Sequence, residues 1–368
     1  MKTIAWLTAS YFIDVDRQIV PYLSKFYQID WIIQGNQEIA PNIFYELKDE
    51  NNSNLNLKIE YYGITSKWYS PKSYLDFYKF FKYIKQKKSD LIYIDSSLMF
   101  GAYYAASKLM PIDKTVIATH NVKTPKGARL EHFARFYMDV LLRKFINFHV
   151  FSRNQYDYLK SKVSGKNVLY APLTLKNYGE KKSRIENVNI INFLSFGHIR
   201  KYKRIDLLIE AAQLLYEETK QNFIVTIAGS CNEWEEYKSL IKYSHLFNLC
   251  IGYVSDDQVV SLFSNADFLV LPYQDLAQSG AITVAFNYNL PVITSDIPQF
   301  LEFVSHNQNG FLFESENVYA LKEIMKQCLY MSPDHFERLQ HSTKKYVRDN
   351  YSLISIAQKY IDYFNSLL

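Results

Sequence analysis

Short apolar runs alternate with longer amphipathic stretches from one end of this chain to the other. In the first half, the runs at residues 2–7, 29–33, 57–61, 91–94, 115–119 and 148–151 have strand length and are bounded by polar residues. Between them, residues 73–85, 101–109 and 130–145 carry apolar side chains at three- and four-residue spacing, which predicts helices. Residues 173–189 are polar and charged, with Lys181-Lys182-Ser183-Arg184 among them, and predict a linker. A second series then begins afresh. It predicts strands at 190–196, 223–228, 250–251, 268–271, 291–294 and 310–312. Helices are predicted at 204–215, 233–244, 256–266, 280–288, 318–330 and 333–350, with a last amphipathic helix over 352–368. Strands and helices alternating in this way place helices on the faces of a parallel sheet. The chain therefore predicts an α/β fold of two Rossmann-like domains facing each other across a cleft. They would span residues 1–175 and 176–350, with 351–368 packing back on the first.

Composition narrows the picture without changing it. The 368 residues are 48% hydrophobic and 21% charged, the balance of a folded globular protein rather than a disordered one. A net charge of +5 is modest for this length and gives no reason to expect nucleic acid as a partner. Cys231, Cys250 and Cys328 form no CxxC pair and have no histidines at metal-ligand spacing. They read as buried thiols of a reducing compartment. The start, Met1-Lys2-Thr3-Ile4, leads straight into strand-like sequence with no leader-like core, and no stretch approaches the roughly 20 apolar residues of a membrane span. The expected location is the cytoplasm.

In sheets of this type ligands gather where strands end and helices begin. Two such junctions in the second half stand out. The first is Phe196-Gly197-His198-Ile199-Arg200-Lys201-Tyr202-Lys203-Arg204, where a strand ends in glycine and a histidine and four cations precede a helix. Arginine offers a planar fork of donors and lysine a point charge, both suited to a diphosphate; a solvated basic loop is the other reading. The second is Gln278-Ser279-Gly280, which opens an apolar helix whose unsatisfied backbone N–H groups suit a phosphate. Ser279 as a plain N-cap is the alternative there. Gly229 and the pair Tyr253-Val254 follow other strands of the same half. In the first half, Thr119-His120-Asn121 follows a strand, and His120 suits a sugar hydroxyl or a structural hydrogen bond. Thr8-Ala9-Ser10-Tyr11 after the first strand contains no glycine, which argues against a nucleotide in that half.

The ordered set Gly197…Lys203, Ala228-Gly229, Gly252-Tyr253-Val254-Ser255, Leu271-Pro272-Tyr273, Ser279-Gly280, Pro291-Val292-Ile293 and Asn309-Gly310-Phe311-Leu312 resembles the retaining glycosyltransferases of family 4, which have the two-domain GT-B fold. The resemblance implies transfer of a sugar from a UDP- or GDP-sugar donor, without metal or other cofactor, to a glycan or lipid-linked acceptor in surface polysaccharide synthesis. It implies Lys203, Arg200 and His120 as the catalytic set. Donor binding falls to Gly197, His198, Gly229, Tyr253, Val254, Gln278, Ser279 and Gly280. His198 stands where the family carries an arginine, and Arg200 is the nearest replacement. The family's pair of glutamates falls near Leu276 and at Val284, with Asp275, Gln278 and Ser279 the nearest polar substitutes. That loss leaves room for a non-catalytic sugar- or nucleotide-binding protein of the same fold, or for a sugar-nucleotide epimerase. The basic, aromatic run at 79–88 suits peripheral contact with an anionic membrane, or an ordinary half-buried helix.

Overall fold

A computed structural model describes residues 1–35, 41–67, 69–122, 131–183, 190–276 and 279–368. Two compact units are present, Met1–Thr174 together with Leu353–Leu368, and Leu175–Ser352. The first unit is built on seven parallel strands. They are β1 (Thr3–Ala9), β2 (Gln28–Gly35), β3 (Leu57–Gly63), β4 (Leu91–Asp95), β5 (Thr115–Thr119), β6 (Asn147–Val150) and β7 (Asn167–Tyr170). Their order across the sheet is β3-β2-β1-β4-β5-β6-β7. The connecting helices are α1 (Ile13–Asp16), α2 (Ile19–Leu23), α3 (Pro41–Glu50), α4 (Pro71–Gln86), α5 (Phe100–Leu109), α6 (Glu131–Lys144) and α7 (Arg153–Lys162).

The second unit repeats the plan with β8 (Asn192–Phe196), β9 (Ile224–Gly229), β10 (Phe247–Ile251), β11 (Phe268–Leu271), β12 (Val292–Ser295) and β13 (Gly310–Phe313), ordered β10-β9-β8-β11-β12-β13. Its helices are α8 (Ile205–Thr219), α9 (Trp234–Lys238), α10 (Asp256–Asn265), α11 (Gly280–Asn287), α12 (Pro298–Leu301), α13 (Val318–Leu329) and α14 (Pro333–Tyr351). The last helix, α15 (Leu353–Leu367), belongs to the first unit, where Ile356, Tyr360 and Phe364 join the core around Trp6 and Tyr93.

Each sheet is apolar on both faces, so β1, β4 and β5 read as near-continuous buried runs and the cores lie above and below them. In both units the order reverses beside the first strand, between β1 and β4 and between β8 and β11, and crevices form at such switch points.

Three departures from the sequence reading have local causes. The helix expected over 233–244 stops at Lys238, because the Gln213 amide from α8 donates to the Leu240 carbonyl at 3.1 Å and accepts from the Lys242 N–H. The backbone there is satisfied by a side chain instead of by helix. β7 was missed because an edge strand of four residues carries no alternation long enough to register. α7 was missed because its sequence is mostly polar; its start is fixed by Ser152, whose hydroxyl accepts from the Gln155 N–H.

Candidate functional site

β8 buries Phe193 and Leu194 and delivers the chain to Gly197 at φ +103°, a left-handed value that only glycine adopts without strain. A β-carbon there would also stand 3.1 Å from the Lys203 Nζ. Gly229 closes β9 at φ +142°, and a β-carbon on it would lie 2.2 Å from the Gly197 carbonyl oxygen. The two glycines therefore let neighbouring strand ends meet, with Gly197 donating to the Ala228 carbonyl and Ile199 to that of Ser230.

Beyond Gly197 the chain makes one turn of 3-10 helix, Lys201–Lys203, and enters α8 through Arg204 at φ +50°. That turn separates the cations. Arg204 is spent on structure, paired with Asp206 and Glu316 at 3.0 Å each. Arg200 and Lys201 point to solvent. His198 is exposed and hydrogen-bonds the Ser230 hydroxyl, and desolvation, then Arg200 and Lys203, hold its imidazole below the usual range. Lys203 turns inward. Its Nζ lies 5.2 Å from the Tyr273 ring centre, and burial pushes its pKa down to about 8.

From the other side of the switch point, β11 ends in Pro272-Tyr273. Tyr273 is buried, which raises its phenol, and it meets Tyr202 edge to face at 5.8 Å. Gln274 donates its N–H to the Tyr202 carbonyl at 2.9 Å, tying the two loops together. α11 begins at Ser279, whose hydroxyl accepts from the Ile282 N–H at 3.4 Å, so the N-cap reading holds. Gly280 is different from Gly197. It has no left-handed φ, and the nearest atom to a β-carbon built on it is Lys176 Cε at 3.9 Å. Nothing among the described residues requires a glycine there, although glycine weakens a helix by roughly 1 kcal/mol relative to alanine.

These pieces enclose a cavity of about 240 Å³ that brings together Gly197, Lys203, Ser279 and Gly280. Lys176, which the sequence reading did not single out, lines it too, as do Tyr202 and Tyr273, which that reading quoted within motifs without assigning them to the site. Val284, where the family 4 resemblance puts one glutamate, contributes an apolar wall, and Leu276, near where it puts the other, is buried. Among the described residues the lining holds two lysines and no carboxylate. Arg200, His198 and Gly229 are not part of it, and Gln278 lies outside the described residues. Tyr253 and Val254 line a separate cavity of about 440 Å³ along the edge strand β10, with Tyr253 88% exposed.

The first unit has its own cavity of about 310 Å³ at the switch-point end, bounded by Phe12 after β1, Ser96 to Met99 after β4, and Thr119 to Asn121 after β5. His120 is clamped there. Phe12 and Phe151 stack on its two faces at 4.0 and 4.2 Å, and its Nε2 lies 3.0 Å from Asp95 Oδ1. Behind Asp95 sits Asp16, buried, accepting hydrogen bonds from Trp6 and Thr8. Burial, then the charge of Asp95, pushes the Asp16 carboxyl well above the usual carboxylate range. Asp95 was legible in principle, as an acid directly at the end of an apolar strand. Among the described residues no three His, Cys, Asp or Glu side chains cluster as metal ligands would, and no helix is long and apolar enough to cross a membrane.

Residues 180–349, all within the second unit, match the family Glycosyl transferases group 1. An uncharacterized glycosyltransferase of Haemophilus influenzae is 26% identical over 184 residues, 49% of this chain and 50% of the relative. One from Methanocaldococcus jannaschii is 22% identical over 181 residues, 46% of this chain and 44% of the relative. The matched stretch thus spans about half the length of these relatives. Among solved structures, a glycosyltransferase from Rickettsia africae superposes with a TM-score of 0.77 at 17% identity, covering 100% of this chain and 98% of its own. Anabaena HepE, solved in complex with UDP-glucose, gives 0.71 at 15% identity with 100% of both chains covered. Residues 180–349 therefore match the group 1 glycosyl transferases, and the chain as a whole has the GT-B fold.

Proposed function

We propose that this protein is a retaining glycosyltransferase of family 4 that moves a sugar from a UDP- or GDP-sugar to a glycan or lipid-linked acceptor in surface polysaccharide synthesis at the cytoplasmic side of a membrane. The observation that carries the reading is the lysine-lined cavity at the β8/β11 switch point, ending on the start of α11 and holding no carboxylate among its described lining residues. The donor's diphosphate lies there against Lys203 and the N–H groups that follow Ser279. As the anomeric C–O bond breaks, its electron pair leaves with the diphosphate, and a fixed cation and helix end stabilise that growing charge more than the ground state. A diphosphate held this way needs neither a carboxylate pair nor a metal ion. The acceptor hydroxyl oxygen takes the place of the diphosphate on the anomeric carbon, and its proton passes to the departing diphosphate oxygen. His120, held by Asp95 between Phe12 and Phe151, orients the sugar.

The neighbours support the donor class: HepE was solved with UDP-glucose. Contact with an anionic bilayer belongs to the same reading. α4 exposes Lys72, Lys79, Lys82 and Lys85 beside Tyr74, Leu75 and Tyr78, and co-sedimentation with phosphatidylglycerol vesicles tests it. The activity itself is tested by incubating the protein with a panel of UDP- and GDP-sugars and following nucleoside diphosphate release. Wild type should turn over one donor, and Lys203→Ala should lose at least about 100-fold of that rate, the scale of removing one charge-stabilising group. A specific observation favours a second reading: Val284 and Leu276 leave the cavity without the family's acids. A non-catalytic binder would take up nucleotide and release nothing, and an epimerase would alter the donor with no acceptor present.

A further inference from the structure

Two lysines line the cavity, and only one of them belongs to the β8 loop. Lys203 enters beside Gly197, at the end of β8. Lys176 enters from the extended segment that precedes β8, and its side chain runs along the start of α11, with Cε 3.9 Å from the β-carbon position of Gly280. That segment is fastened, not loose. The Asn177 amide oxygen accepts from the Gly179 N–H at 2.9 Å and from the Asn287 amide at 3.4 Å. The Tyr288 hydroxyl donates to the Gly179 carbonyl at 3.1 Å, while Leu175 and Tyr178 pack on the apolar core beneath α11. Lys176 is thus pinned to the far end of the same helix whose first turn it overlies. Lys176 and Lys203 thus reach one cavity from two different segments, beside Gly280 and beside Gly197, and such a pair of cations suits a doubly anionic group.

We propose that Lys176 holds one phosphate of a nucleoside diphosphate at the start of α11 while Lys203 holds the other beside Gly197, so that Lys176 is the residue by which this site prefers diphosphates to monophosphates. The proposal rests on the nucleotide reading above. It also gives Gly280 a reason: any larger side chain would occupy the space between the helix start and the Lys176 stem.

Isothermal titration of the full chain with UDP, UMP, GDP, GMP and inorganic pyrophosphate tests this. Lys176→Gln keeps the stem and removes the charge. It should weaken UDP (or GDP) and pyrophosphate about tenfold or more while leaving the matching monophosphate within about twofold, since one charge-assisted contact is lost. Lys176→Arg should retain most of the diphosphate affinity, which keeps the test valid if the glutamine variant folds poorly. If Lys176→Gln binds diphosphate as wild type does, or loses mono- and diphosphate equally, the role of Lys176 is overturned while the nucleotide reading stands. If wild type binds none of the five compounds, both fall. Pyrophosphate binding that needs both lysines, with no nucleotide preference, would keep the lysine pair and sink only the nucleoside part.

Discussion

Lys203 is charged in a place that disfavours charge. Burial pushes its pKa from 10.5 down to about 8, and no acid in the described cavity lining offsets the desolvation. A buried lysine of this kind is a stability defect that an arriving anion repairs. Lys203→Met, which keeps the stem and deletes the ammonium, should stabilise the unliganded protein by about 1–3 kcal/mol near neutral pH while abolishing diphosphate binding. The sign of the pH dependence follows from the lowered pKa. Between about 8 and 10.5 the unfolded chain still holds a proton that the folded one has released, so this group makes stability rise with pH across that window. Below about 8 the defect is present in full. Diphosphate affinity runs the other way and should fall as pH rises past about 8. Thermal unfolding and nucleotide titration at pH 7 and 9.5 check both, and a Met variant with unchanged stability would show that Lys203 is not strained. At this scale the sequence was legible where the residue type was enough: Lys203, Ser279 and Gly280 were singled out and do line one cavity. It was not legible where direction mattered. A single 3-10 turn sends Arg200 outward and Lys203 inward, and Arg204 is consumed by Asp206 and Glu316, which no spacing rule foretells.

Among the elements, α11 is the one where structure and chemistry pull against each other. It is short and apolar, buried on Ile282, Val284, Ala285 and Phe286, and it begins with a residue poorly suited to helices. Replacing Gly280 with Val fills the mouth of the cavity without a backbone clash, because the nearest atom to its β-carbon is 3.9 Å away. The variant should therefore fold as well as wild type, within about 1 kcal/mol, yet bind diphosphate at least about tenfold more weakly. Ser279→Ala offers the control: loss of the cap should cost about 1 kcal/mol of stability. Circular dichroism melts paired with titration separate the two outcomes, and a Gly280→Val protein that binds normally would remove the close-approach argument. Element existence was readable for the strands because buried parallel strands are runs of apolar residues; 115–119 and 268–271 match β5 and β11 end to end. The helix ends were harder. α9 is cut short by a glutamine from α8, a tertiary event that periodicity over 233–244 does not contain.

At the scale of the molecule, the chain leaves its first unit at Thr174 and returns to it at Leu353, so the stability of that unit depends on its last fifteen or so residues. α15 buries Ile356, Ala357, Tyr360, Ile361 and Phe364 in the core of that unit. Phe364 meets Trp6 at 6.2 Å and Tyr93 at 6.0 Å, and Tyr360 packs on Trp6 and on His149, whose burial pushes its pKa down to about 3. The amphipathic pattern of residues 352–368 announced the helix, but not which strands it would cover. Its partners, Trp6 of β1, Tyr93 of β4 and Asn167 of β7 among them, lie far earlier in the chain, and periodicity within 352–368 does not name them. Phe364→Ala should destabilise the first unit by about 3–5 kcal/mol, since the ring is fully enclosed and the rigid aromatic wall around it cannot close the cavity. Trp6 and Trp31, both buried in that unit, report its unfolding by fluorescence. The described lining of the lysine cavity comes from the other unit, so nucleotide affinity measured below the transition should stay within about twofold of wild type. A fall in affinity as large as the fall in stability would mean that α15 supports the donor cavity as well as the core it covers.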